Sequence, residues 1–157
     1  MCSTPAELSN ADRRSVPFTN DQGNPINDIN GNPMQRPAGW DPHYFTQHGA
    51  AEGSAGAGSL GNFRIGGIWD AQRLGGAISR PITGFIDFAN VNIGLFSSAA
   101  QLPQGVVLSV ANGFAPLFSN FGDQPRDPTY SILRAANVYD IRVGYRLQGS
   151  GAICTRH

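Results

Sequence analysis

Glycine and proline punctuate this chain so densely that its regular elements are expected to be short. The sequence has 20 glycines and 11 prolines among 157 residues, about a fifth of the chain, against roughly 12 % in average proteins. Only 14 % of the residues are charged, and no apolar run approaches the roughly 18 residues of a transmembrane helix. These features exclude a coiled coil, a transmembrane protein, a collagen-like fibre and a highly charged disordered tail.

The charge balance limits the partners that we expect. Eleven basic residues oppose eleven acidic ones, and every basic residue is an arginine. Proteins that bind duplex nucleic acid usually carry a basic excess, because phosphate neutralisation supplies most of their non-specific affinity. We therefore expect no duplex DNA partner, while a small nuclease with a local basic pocket stays open. The absence of lysine excludes Schiff-base chemistry and a phosphate-binding lysine.

The two cysteines, Cys2 and Cys154, stand at opposite ends of the chain and lack metal-ligand spacing. A disulfide that joins the termini and two unrelated thiols are both open, since the termini of a domain are often close. The first twenty residues are polar and contain no apolar stretch of the kind found in secretory signals. If the protein is exported, we expect a route that does not read such a signal.

The composition predicts two parts, a loop-rich N-terminal arm over residues 1–60 and a compact, mainly helical domain over residues 61–157. Pairs such as Asn-Pro and Asp-Pro mark turns in the arm. Residues 23–28 and 31–34 nearly repeat each other, which predicts a tight β-hairpin or two successive turns. The small residues at 49–59 predict a flexible loop.

The helical domain contains three segments with a readable pattern. Residues 85–96 fit a strand or a buried extended segment about as well as the start of a helix. Pro103 is expected to open a helix, because proline is tolerated in the first turn. The last helix is expected to begin with Asp127 as N-cap and Pro128 as first residue, and to run through Arg146. Its predicted apolar face consists of Ile132, Ala136, Tyr139 and Val143.

Three polar clusters stand in apolar or turn-rich surroundings and are candidates for a site. They are Trp69 with Asp70, Asp87 with Asn90 and Asn92, and the turn at residues 122–128. Burying an unpaired carboxylate costs several kcal/mol, so Asp87 inside an apolar run needs a partner or a cleft. A structural pair between Asp87 and an arginine is the competing interpretation.

The clusters contain neither histidine nor cysteine, so their chemistry would rest on carboxylates. Glycoside hydrolysis by paired carboxylates and metal-assisted hydrolysis are the natural reaction classes. We assign the principal catalytic role to Asp87, with Asp123 or Asp127 as its partner. The alternatives make Asp127 a helix cap and join Asp123 to Arg126 in a turn salt bridge. We expect no cofactor, and a divalent metal stays open.

The remaining candidates would bind or orient the substrate. Asn90 and Asn92 would orient it, Trp69 would stack on a sugar ring, and Arg126 would lower the pKa values of the carboxyls. His43 in the arm would join the site as a general base if the arm folds over it.

Three motifs in order resemble the polymorphic toxin type 44 domain. They are GGIWD at residues 66–70, DFANVNIG at 87–94 and GDQPRD at 122–127. That family shows a GG-x-WD element, a DFGNFNYGA-like element and GDDPRDQ before a final helix. The resemblance covers about residues 61–145, and Gln124 stands where the family often has a second aspartate. Val91, Ile93 and Pro128 also depart from the pattern.

This resemblance implies a mainly helical effector used in competition between bacteria. Such domains end large exported proteins, and a neighbouring immunity protein blocks them. The resemblance leaves the target open, so the residues must decide among three classes.

A hydrolase that degrades peptidoglycan in the periplasm fits the neutral charge, the acidic clusters and a Cys2–Cys154 disulfide. A cytoplasmic ribonuclease would use Arg126 for phosphate and His43 or His48 as base. A non-enzymatic module of a secretion or phage apparatus would suit the loop-rich arm. We favour the peptidoglycan hydrolase, delivered to the periplasm of a target bacterium.

Overall fold

A computed structural model describes residues 7–113, 125–130 and 132–155. Over these ranges the protein is compact and mainly α, with irregular segments, as predicted. The helices are α1 (His43–Glu52), α2 (Ile86–Ala99), α3 (Gln104–Gly113) and α4 (Ala135–Gly149). Strands β1 (Ser15–Pro17) and β2 (Gln35–Pro37) pair antiparallel, with Val16 opposite Arg36. Short 3-10 helices cover Gly53–Phe63, Ala71–Arg73 and Thr83–Phe85.

Between the two strands, the near-repeat folds as two successive turns. In the first turn, Oδ1 of Asn20 accepts hydrogen bonds from two backbone N–H groups further along the turn, each at 3.0 Å. In the second turn, Oδ1 of Asp28 accepts the two equivalent bonds at 2.9 Å. Gly23 and Gly31 occupy the same position in the two turns, each at a positive φ that favours glycine. The two turns are therefore stabilised by the same pair of hydrogen bonds, accepted by an asparagine in the first turn and by an aspartate in the second.

Residues from before and after position 60 contribute to one hydrophobic core. Phe18 and Phe45 belong to the same buried cluster as Phe88 and Ile141. The prediction of a flexible loop at 49–59 was wrong, because α1 runs to Glu52 and a 3-10 helix follows. The small residues serve packing there: Gly56 is buried against the ring of Phe96, where a side chain would not fit without displacement.

Helices α2 and α4 pack against each other at very short range. A Cβ on Gly94 would collide with the backbone of α4, and a Cβ on Gly144 would collide with the backbone of α2. Further along, Ser98 donates a 2.6 Å hydrogen bond to Gln148. Residues that lie later in α2 contact residues that lie later in α4, so the two helices run parallel. Their N-terminal ends consequently lie at the same end of the pair.

The structure settles one open alternative about these helices and corrects two expectations. Residues 86–99 form a helix, which decides between the alternatives left open for residues 85–96. Helix α4 begins at Ala135 rather than at Asp127, because Arg126 and Arg134 form an antiparallel bridge that closes a loop. The predicted apolar face is correct only in part: Val143 is buried, but Ile132 lies before the helix and is 40 % exposed, and Gly144 faces α2.

Helix α3 confirms the role of Pro103. It starts at Gln104, and the Val107 N–H donates to the Pro103 carbonyl at 3.1 Å. Among the described residues, none of the helices has the length and apolarity needed to cross a lipid bilayer.

Candidate functional site

The carboxyl group of Asp140 lies in the interior beside α2. The residue is 1 % exposed, and within the described residues neither of its carboxylate oxygens accepts a hydrogen bond. Burial is the largest of the causes that together raise the pKa of Asp140 to about 11, followed by its hydrogen bond to Asp87, the Asp87 charge and the Asp28 charge. We therefore expect the Asp140 carboxyl to hold a proton at neutral pH, which would let one of its oxygens act as a donor to Asp87.

Asp87 is the partner of Asp140 and is the more accessible of the two. It lies in the first turn of α2 and is half-buried. A helix N-terminus favours negative charge, which agrees with the raised pKa belonging to Asp140. The sequence argument required a partner or a cleft for Asp87, with an arginine as the structural alternative. The structure supplies a second carboxyl group instead.

Asp28 adds a third carboxyl group near this pair. It is half-buried in the second turn of the N-terminal segment, and its charge acts on Asp140. Oδ1 of Asp28 accepts the two hydrogen bonds of its turn. Among the described residues, no hydrogen bond to Oδ2 is found. The fold thus brings together one buried neutral carboxyl and two accessible ones, from three distant parts of the chain.

Sequence reasoning missed Asp28 and Asp140. A signal for Asp28 was present in the repeat, where it replaces the neutral Asn20 in an otherwise similar turn. A signal for Asp140 was its place next to Ile141 on the face of α4 that carries Gly144. Both signals become readable only when the packing of α2 on α4 is known.

Asn90 and Asn92 lie inside the protein. Asn90 is 3 % exposed, and its amide nitrogen donates to the Ile86 carbonyl at 3.0 Å. Asn92 is fully buried, and neither polar atom of its amide has a hydrogen-bond partner in the described part of the chain. Their roles in orienting a substrate stay predictions.

Trp69 belongs to the aromatic core, so its ring presents little surface to a ligand. It is 4 % exposed, its Nε1–H donates to the Tyr44 hydroxyl at 3.2 Å, and its ring centroid lies 5.0 Å from that of Phe96. The neighbouring Asp70 accepts hydrogen bonds from the Gly66 N–H at 2.9 Å and from Arg73 at 3.0 Å. The GGIWD motif is accounted for by these contacts, which fix a loop against the core.

The turn before α4 contains the other predicted carboxyls. Oδ1 of Asp127 accepts the Thr129 N–H at 2.8 Å, and the Asp127 N–H donates to the Leu133 carbonyl at 2.7 Å. The charges that act on Asp140 come from Asp87 and Asp28 and do not include Asp127. Arg126 is exposed beside this turn. Asp123 lies outside the described residues.

His43 is bound between two carboxylates and connects three parts of the chain. Its Nδ1 lies 2.6 Å from Asp41 and its Nε2 lies 2.7 Å from Asp21. The hydrogen bond to Asp41 raises the pKa of His43, and Asp21 adds to that effect. With both ring nitrogens engaged, neither is available to take a proton from a substrate.

The second carboxylate oxygen of Asp21 accepts the Cys154 N–H at 2.8 Å, which ties the C-terminal segment to the first turn. Cys154 is disulfide-bonded. The disulfide was one of the two alternatives left open by the sequence, and the other cysteine, Cys2, lies outside the described residues.

No family model, no curated protein and no solved structure matches this chain.

Proposed function

We propose that this chain is the hydrolase domain of an antibacterial toxin, which cleaves the glycan of peptidoglycan with carboxyl groups. One observation carries the proposal: the buried carboxyl of Asp140, whose pKa is raised to about 11, is paired with the partly exposed carboxyl of Asp87 near the common end of two parallel helices. A neutral carboxyl beside a charged one is the kind of arrangement on which carboxylate acid–base chemistry depends.

The working carboxyls in this proposal are Asp87 and Asp28. Glycosidases place their two catalytic carboxyls about 5–5.5 Å or about 6.5–9.5 Å apart. Two hydrogen-bonded carboxyls are closer than either spacing, so Asp140 is a positioning residue that fixes the proton and the orientation of Asp87. Asp28 is then the second carboxyl that can reach a substrate, because its Oδ2 is not used by the turn.

A ribonuclease is less well supported. The described site gathers negative charge, which repels the phosphates of RNA. The histidine that was expected to serve as base has both ring nitrogens engaged by Asp41 and Asp21. The disulfide of Cys154 also favours an oxidising compartment such as the periplasm.

The resemblance of the three sequence motifs to the type 44 toxins supports an antibacterial role and an immunity protein as partner. In this proposal the immunity protein protects the producing cell by covering the accessible carboxyls.

The repeat offers matched variants for a direct test. Asn20 shows that an asparagine can form the same turn, so Asp28→Asn removes the charge and leaves the fold intact. Asn20→Asp places a new carboxyl in the other turn and serves as the control. Each variant, together with Asp87→Asn, is directed to the periplasm of a susceptible bacterium, and the soluble wall fragments are identified by mass spectrometry.

We expect wild type and Asn20→Asp to lyse cells and release glycan fragments. Asp87→Asn and Asp28→Asn should lose at least a hundredfold of that activity while remaining folded by circular dichroism. Full activity of folded Asp87→Asn, or killing only from the cytoplasm, would overturn the proposal.

A further inference from the structure

A second cluster of chemically active side chains shares no residue with the carboxyl site. One ligand atom from each of Asp21, His43 and Cys154 lies within 4.8 Å of the other two. Tetrahedral zinc with ligand distances of about 2.0–2.3 Å places neighbouring ligand atoms roughly 3.5 Å apart. Adjustments of about an ångström, which include opening the 2.7 Å contact between Nε2 of His43 and Asp21, would therefore give three ligands in position.

The surroundings of His43 resemble the outer shell of a zinc site. Histidine ligands commonly donate their second ring N–H to a carboxylate, which sets the ring orientation and the tautomer. Nδ1 of His43 lies 2.6 Å from Asp41 in this way, and this contact directs Nε2 toward Asp21. The cluster thus contains three candidate ligands and the carboxylate that would orient one of them.

The backbone positions Cys154 independently of its disulfide. Its N–H donates to Asp21 at 2.8 Å, and its carbonyl accepts a 3.0 Å hydrogen bond from the Thr46 hydroxyl. The N–H of Asp21 donates in turn to the Ala152 carbonyl at 2.8 Å. These bonds hold the backbone of Cys154 beside Asp21 without the help of the disulfide, which leaves the sulfur within reach of Asp21 and His43.

We propose that reduction of the Cys154 disulfide by a dithiol converts this cluster into a Zn²⁺ site. The dithiol supplies two electrons and two protons, its own sulfurs become a disulfide, and the S–S bond of Cys154 breaks to give two thiols. Zn²⁺ then displaces the thiol proton of Cys154 and the Nε2 proton of His43 to solvent, and it binds the thiolate, Nε2 of His43 and a carboxylate oxygen of Asp21. A mixed sulfur, nitrogen and oxygen set suits zinc better than calcium or magnesium.

As a consequence, the bound metal would replace the disulfide as the attachment of the C-terminal segment. In the oxidised protein the segment is tied by the disulfide and by the contacts with Asp21. In the reduced protein the metal would join the first turn, α1 and the same segment. Metal and disulfide are mutually exclusive, because a sulfur in a disulfide is not a thiolate ligand.

Cobalt titration of the full chain tests the site, because thiolate binding to Co²⁺ gives a characteristic absorption band. Three forms are compared: the oxidised wild type, the wild type reduced by a phosphine, and Cys2→Ser, in which Cys154 has no cysteine left to pair with. We expect the reduced wild type and Cys2→Ser to bind one Co²⁺ per chain and to show the thiolate band. The oxidised protein should bind no Co²⁺ at this site and show no such band. Zn²⁺ should displace the Co²⁺.

Variants separate a built site from chance binding. Cys154→Ser should abolish the thiolate band, His43→Gln and Asp21→Asn should weaken Co²⁺ binding at least a hundredfold, and Asp41→Asn should weaken it 10–100-fold through the orientation of His43. If the reduced protein is unfolded without metal, recovery of its helical circular dichroism on adding Zn²⁺ replaces the titration. Absence of both binding and recovery in Cys2→Ser, or equal binding by His43→Gln and Asp21→Asn, would overturn the proposal.

Discussion

Replacing Asp140 with asparagine should stabilise the protein, and the gain should grow with pH. In the unfolded chain the Asp140 carboxyl ionises near its ordinary pKa of 3.8, whereas in the folded protein its pKa is about 11. Folding at pH 7 must therefore return a proton to this group. The difference of about three pH units between 3.8 and 7 corresponds to about 4 kcal/mol of lost stability.

The sign follows from the raised pKa. The contribution of Asp140 to stability is fully present below about pH 4, and it is lost progressively as the pH rises toward 11. The loss amounts to about 1.4 kcal/mol per pH unit within that window. Asparagine does not titrate, and its amide N–H can replace the O–H donated to Asp87. The variant therefore removes the pH-dependent cost and keeps the hydrogen bond.

The assay is urea denaturation followed by circular dichroism at several values between pH 5 and pH 8, with the disulfide kept intact. We expect the free energy of unfolding of Asp140→Asn to exceed that of wild type by an amount that widens by about 4 kcal/mol across this range. The control is Asp12→Asn. The hydrogen bond from Arg14 lowers the pKa of Asp12 to about 2, so its stability offset should be constant above pH 5. Parallel pH profiles for wild type and Asp140→Asn would refute the reasoning.

Three further substitutions test the packing. Gly94→Ala should destabilise the protein by about 1–3 kcal/mol or more, because the added Cβ meets the α4 backbone. The control, Gly84→Ala, places its Cβ in open space and should cost less than about 0.5 kcal/mol in the same urea assay. Equal costs for the two variants would contradict the close helix contact. Asp70→Asn leaves the buried Arg73 without its charge partner and should cost about 3–5 kcal/mol by denaturation, so a cost below about 1 kcal/mol would be inconsistent with the ion pair. Phe18→Ala should cost about 3–5 kcal/mol in thermal or urea unfolding, and a neutral result would mean that the N-terminal segment adds little to the core.

The accuracy of the sequence predictions depended on how local each signal is. Pro103 marks the start of α3 because its effect on the backbone acts within one turn. Helix α2 was ambiguous because nearly all of its residues from Phe88 to Ser97 are buried, which leaves no polar face to reveal the helical period. The Asp127–Pro128 pair has the composition of a helix start, yet the bridge between Arg126 and Arg134 makes it part of a loop.

For the candidate site, too, the residues that could be predicted were those with a local signal in the sequence. Asp87 could be identified from the cost of burying a carboxylate, which depends only on its apolar neighbours in the sequence. Asp140 could not, because its partner depends on two helices that are distant in the chain and pack in parallel through Gly94 and Gly144. Trp69 was expected to stack on a sugar ring, and only the packing shows that its ring lies in the core.

The protonation state of Asp140 at neutral pH is the claim on which the proposed function depends, and carbon NMR can observe it directly. The carboxyl carbons of ¹³C-labelled aspartates are followed from pH 5 to pH 9 in wild type and in Asp140→Asn. The account predicts one resonance that keeps the shift of a neutral carboxyl throughout and is missing from the variant. A wild-type spectrum in which every aspartate has the shift of a carboxylate at pH 7 would contradict it.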